Sequence, residues 1–172
     1  MTDEQLYTVV GGRGTMSVFE IYIKTGPERL WEAITDGEMR KRYSFGVGTE
    51  SAWTEGSEYL SAVPGVVDIA SGENVEVDPP KRLVQTFQAL WSEDVKAEGT
   101  SQVTWEIDPV GDDSCRLRVT HDHLGAEANN ELWGGWPMIL SGLKTLLETG
   151  EDLTTPASLM YQQQAGGGTV VR

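Results

Sequence analysis

The sequence predicts an α+β fold, a curved antiparallel sheet of about six to seven strands wrapped around one long C-terminal helix. Three observations carry this expectation. Strand-like segments follow one another with only short turns between them, which favours hairpins and an antiparallel meander. Near Asn129 the hydrophobic spacing changes from two to three and four, the mark of an amphipathic helix. A strongly curved sheet needs its concave face covered, and this helix is the only element long and apolar enough to cover it.

Residues 1–16 carry little pattern and include Gly11, Gly12 and Gly14, so they read as a flexible lead-in. In SVFEIYIKT, Phe19, Ile21 and Ile23 alternate with Val18, Glu20 and Tyr22, which predicts a strand with one deeply buried face. Thr25 reads as a helix N-cap, with Pro27 in the first turn and Glu28 three residues on. PERLWEAITD places Leu30, Trp31 and Ile34 on one helical face, and GEMRKRYSF gives a second short helix ending near Phe45.

Six further strands follow: ESAWT, SEYLSAV, VVDIASGENVEVD, RLVQTFQALW, SQVTWEIDP and SCRLRVTHDHL. Pro79 and Pro80 cannot sit in a central ladder, so they mark a corner. In the last helix Trp133, Trp136, Leu140, Leu143 and Leu147 recur at spacings of three and four, ending near Gly150. Pro137 predicts either a kink or a helix that starts close by. Residues 154–172, with Gly166, Gly167 and Gly168, read as a mostly mobile tail, leaving one domain over 17–153.

A chain of 172 residues suits one domain with a sizeable core. The acidic start lacks the apolar stretch of a signal peptide, and no run approaches the roughly 18 apolar residues of a membrane span. Cys115 is the only cysteine, so an internal disulfide is excluded and a reducing cytoplasm is the expected setting. A net charge of −14 opposes nucleic acid and anionic membranes as partners. The cluster Arg40-Lys41-Arg42 is too small to reverse that and reads as the solvated face of a short helix.

Three passages, FEIYIKTGPERLWEAITD, VEVDPPKRLVQTF and GGWPMILSGLKTLLETGED, together span most of residues 17–152. In this order they resemble the START-like (SRPBCC) superfamily, and within it the branch named for the activator of the heat-shock chaperone ATPase. The resemblance implies a helix-grip fold with a cavity between sheet and long helix, often accepting an apolar ligand. It does not fix function, because one fold hosts many activities.

Such a cavity would be lined from the helix by Trp133, Trp136, Leu140 and Leu143. From the sheet side the same-face positions include Phe87, Val103, Trp105, Leu117, Val119 and His121, with Trp53 nearby. Six tryptophans suit a pocket for a flat or aliphatic molecule, although filling the core is the plainer role for any one of them. In a regular strand His121 and His123 would share a face and could offer two metal ligands. No spacing demands a third such as Glu131, so no metal and no cofactor is expected. His121 is instead a candidate polar anchor for a ligand.

Catalytic templates are missing. Ser141 is not in a nucleophile elbow, and the glycines at 11–14 precede the first clear strand instead of following one. Cys115 stands near Asp112 and Asp113, which disfavour a thiolate. Arg42, Arg116 and Arg118 read as surface partners for carboxylates. The expected function is non-enzymatic binding of a hydrophobic small molecule, lipid-like or aromatic, by a carrier or sensor. One alternative is a cyclase/aromatase-like enzyme using His121, Tyr43 and Tyr59. The other is a chaperone-regulating or other interaction module acting through the corner Asp78-Pro79-Pro80-Lys81-Arg82. Apolar sheet edges leave a homodimer open.

Overall fold

Alternation along the strands decides which face of the sheet is the core. In the strand Ser114–Leu124, the side chains of Cys115, Leu117, Val119 and His121 are buried and those between them are not. Thr100–Val110 repeats the pattern with Ser101, Val103, Trp105 and Ile107. The computed structural model describes the backbone of residues 6–8 and 15–156 and the side chains of 16–125 and 135–156.

Its elements in order are β1 (Leu6–Thr8), β2 (Thr15–Ile23), α1 (Pro27–Thr35), α2 (Gly37–Tyr43), β3 (Gly48–Ser51), β4 (Glu58–Val63), β5 (Val67–Asp78), β6 (Arg82–Ala89), α3 (Glu93–Ala97), β7 (Thr100–Val110), β8 (Ser114–Leu124) and α4 (Ala126–Thr149). The strands form one antiparallel sheet in the order β1-β2-β8-β7-β6-β5-β4-β3. Register aligns Leu83, Trp105, Val119 and Phe19 in one cross-strand row, and Gln85, Val103, His121 and Ser17 in the next. Register shifts put one added residue in β8, opposite Thr15–Ser17, and two in β5, which bend those strands as a bulge does. Trp136, Leu140, Leu143 and Leu146 of α4 then pack on the concave face with Leu30, Ala33 and Ile34 of α1. This is the helix-grip arrangement.

Several details differ from expectation. The N-cap of α1 is Gly26, without a side-chain cap, and not Thr25. Pro27 explains the shift, because it forces the residue before it into extended backbone and itself suits the first helical turn. β1 lies within the stretch read as lead-in, so the sheet has eight strands among the described residues. A short helix, α3, fills the β6–β7 connection, with Ser92 accepting from the Val95 amide and Val95 buried beneath it. α4 starts at Ala126 and runs through Pro137, which is exposed, so its ring meets no neighbour in the core. Gly150 closes it in left-handed conformation, φ 77°. The Pro79–Pro80 peptide is cis and makes the β5–β6 corner. Residues 1–5, 9–14 and 157–172, which hold most of the lead-in and tail, lie outside the described residues. No helix among the described residues is long and apolar enough to cross a membrane.

Candidate functional site

The centre of the grip is aromatic. Trp105 of β7, 1% exposed, meets Trp136 of α4 edge-on at 5.3 Å between ring centroids. Phe19 lies 6.3 Å from Trp136 and His121 lies 6.1 Å from it. Phe87 stands edge-on to His121 at 4.9 Å. Each ring thus meets another edge-on or tilted, which aromatic quadrupoles favour.

His121 is fully buried, yet every polar atom of its ring has a partner. The Trp136 indole N–H donates to Nδ1 at 3.2 Å, so Nδ1 must carry the lone pair and Nε2 the proton. Nε2–H then donates to Ser101 Oγ at 2.7 Å, whose hydroxyl donates to the Phe87 carbonyl at 3.3 Å. This chain ties α4 to β8, β7 and β6. Burial pushes the imidazole pKa down to about 3, so the ring is neutral at any ordinary pH. Trp105 is different. Its indole N–H is buried and has no partner among the described residues. A buried unpaired donor costs about 1–3 kcal/mol, so an acceptor brought to it would be welcomed.

The two tyrosines considered for catalysis spend their hydroxyls on backbone: Tyr43 donates to the Ala33 carbonyl and Tyr59 to that of Thr86, each at 2.6 Å. Burial raises both phenols, Tyr43 to about 12, with the Arg40 guanidinium pulling the other way in each case. Cys115 Sγ donates to the Thr25 carbonyl at 3.3 Å, and burial raises its pKa as well. Toward β3 the concave face turns polar. Buried Asn74 donates to Ser51 Oγ at 2.8 Å and Ser57 Oγ at 3.0 Å, and accepts from Gln85 Nε2 at 2.8 Å.

Seven of the expected lining residues, Val103, Trp105, Leu117, Val119, Trp136, Leu140 and Leu143, meet in one buried cluster, and His121 is joined to it by its hydrogen bond with Trp136. Phe87 and Trp53 pack half-buried at its margin, Trp53 just after β3 with φ 55° and its amide held by Ser51 Oγ. The side chains of Trp133 and Glu131 lie outside the described residues. The two histidines do not share a face. His123 takes left-handed backbone, φ 58°, which turns its side chain out of the strand alternation to an exposed place beside Asp122. Among the described residues no His, Cys, Asp and Glu cluster could hold a metal.

Arg42, Arg116 and Arg118 do pair with Asp152, Asp108 and Glu20. Arg40 does not follow them to the surface; its guanidinium carbon stands 5.5 Å above the Trp105 ring. Elsewhere, an open groove of about 640 Å³ runs over Glu50, Glu58, Leu60, Ser71 and Glu73 of β3–β5. A crevice of about 10 Å³, room for one water, lies beside Phe87, Ser101 and Leu124.

Residues 24–148 match the family described as Activator of Hsp90 ATPase homolog 1-like protein. The chain belongs to that family. Among solved structures of similar fold, CalU16 from Micromonospora echinospora is 21% identical, with a TM-score of 0.67 over 94% of this chain and 89% of that one. PFC0360w, described as an HSP90 activator from Plasmodium falciparum, is 25% identical, with a TM-score of 0.62 over 76% of this chain and 95% of its own. The Aha1 dimer from Colwellia psychrerythraea is 19% identical, with a TM-score of 0.62 over 78% and 97%. No curated protein matches the sequence. Family membership thus agrees with the fold.

Proposed function

We propose that this chain binds an apolar small molecule, lipid-like or aromatic, between the sheet and α4, and acts as a carrier or sensor without catalysis. The observation that carries this reading is the buried N–H of Trp105, unpaired among the described residues, on a ring that meets Trp136, which in turn meets Phe19. Large apolar rings with one convergent donor are what a ligand site of this kind needs. The polar groups that catalysis would require are spent: His121, Tyr43 and Tyr59 all hydrogen-bond within the protein.

The test is native mass spectrometry of protein taken from its own host, followed by solvent extraction. A reproducible apolar molecule in stoichiometric amount is expected. Calorimetry with that molecule should then show Trp105→Phe binding about twofold to tenfold more weakly, the loss of one neutral hydrogen bond. An empty protein whose tryptophan fluorescence no lipid or aromatic compound quenches would remove this reading.

A second reading rests on the family description and on the Plasmodium relative, described as an HSP90 activator: a protein-partner role. Stimulation of a chaperone's ATPase rate by this chain is its direct assay. The sheet edges β1 and β3 are where a homodimer would form, which light scattering would report.

A further inference from the structure

We propose that the ligand carries a carboxylate, and that Arg40 is its anchor with the Trp105 indole N–H as a second donor. This rests on the small-molecule reading above and names the class of ligand that site takes.

Arg40 is the anomaly of a very acidic chain. Arg29, Arg42, Arg82, Arg116 and Arg118 each form an ion pair with a carboxylate. Arg40 has no such partner among the described residues, although the chain holds 27 Asp and Glu. A guanidinium has five N–H donors, and here one of them reaches the Ile34 carbonyl at 3.3 Å. The group is only partly exposed, and it turns inward from α2 over the Trp105 ring. It is also near enough to Tyr43 and Tyr59 to act on both phenols.

Cation–π attraction accounts for the guanidinium's place over the ring, and with Nη1 on the Ile34 carbonyl it leaves the Nε and Nη2 donors to form a fork. That fork matches a carboxylate, which accepts two parallel N–H bonds in a geometry lysine cannot reproduce. The unpaired N–H of Trp105 lies in the ring beneath the same guanidinium. One fork and one neutral donor suit a single negative charge shared over two oxygens. The rest of the molecule would then lie along Trp136, Phe19 and the apolar face of α4. The ligand is therefore an amphiphilic acid, such as a fatty acid or an aromatic acid.

Calorimetry at pH 7.5 with laurate, methyl laurate and 1-dodecanol, below their aggregation limits, tests this on wild type and on Arg40→Gln and Arg40→Lys. Wild type should bind laurate at least about tenfold more tightly than the ester or the alcohol, as a charge-assisted pair requires. Arg40→Gln should erase that preference by weakening laurate far more than the ester, and Arg40→Lys should restore only part of it. Equal affinity of wild type for all three probes, or an equal loss for all three in Arg40→Gln, would overturn the anchor and leave the binding reading standing. Failure of all three to bind any variant would overturn both. Because the comparison of acid and ester in wild type needs no substitution, it decides the matter even where a variant folds poorly.

Discussion

Gly72→Ala is expected to destabilise the fold by about 3 kcal/mol or more, in the range that marks a specific structural clash. A Cβ built at Gly72 would overlap the Thr86 carbonyl oxygen of β6 and come within 2.7 Å of Tyr59 Cε1. The local ladder shows why no relief is available. Ser71 pairs with Gln88 and Asn74 with Gln85, but between them the Glu73 amide donates to Thr86 Oγ1 at 2.8 Å instead of to backbone. The freed Thr86 carbonyl accepts the Tyr59 hydroxyl at 2.6 Å. Tyr59 can reach it only because its ring crosses the bare backbone of Gly72, its partner in the β4–β5 register. A methyl there displaces the ring, breaks its hydrogen bond and leaves a buried carbonyl unpaired. Gly135→Ala is the control: its Cβ would meet nothing within 4 Å, so helix propensity alone should stabilise by about 0.5–1 kcal/mol. Urea unfolding at pH 7 measures both, and a Gly72→Ala loss under about 1 kcal/mol would show that the strands can part freely. They should not, because the same half of the sheet carries the Asn74 network and Trp53 at the margin of the site.

What the sequence made legible was periodicity. Phe87, Val103, Trp105, Leu117, Val119 and His121 do share the concave face, because strand alternation over eight or more residues leaves one choice of register. The α4 stripe was legible for the same reason at a spacing of three and four. Short elements were not. Three residues of β1 and five of α3 carry no period, and their pairing comes from tertiary contact. Arg40 was misplaced because α2 has only seven residues and reads as charged all round. One signal was there: Arg40 lies three residues before Tyr43, hence on the same face, and a buried tyrosine draws its neighbour inward. The split of His121 from His123 had no sequence signal, since a single residue of left-handed backbone ends the alternation. The Asn74–Gln85–Ser51–Ser57 network was equally hidden. Polar residues on a strand read as solvent-facing until their partners from other strands are known.

Acid should loosen the grip through one residue. The folded protein holds His121 neutral with a pKa near 3, against 6.5 for an ordinary histidine. Below about pH 6.5 the unfolded chain therefore takes up a proton that the folded chain refuses, and stability falls with a slope of up to about 1.4 kcal/mol per pH unit. The contribution is complete above pH 6.5 and is lost progressively toward pH 3; by pH 4.5 the loss is about 2–3 kcal/mol. His121→Leu should remove this dependence. At pH 7 that variant is itself weakened by about 1–3 kcal/mol, because the Trp136 N–H and the Ser101 hydroxyl lose their partner. Denaturant unfolding of both proteins at pH 7.0 and 4.5 isolates the effect, since the carboxylates titrate alike in each and cancel in the difference. Wild type should lose about 2–3 kcal/mol more than the variant, and equal losses would mean that another group governs the acid response. The direction of failure follows from the tautomer. A proton added at Nδ1 would face the indole N–H that now donates to it, two donors in one buried space, and the contact that gives way is the one holding α4 against the sheet.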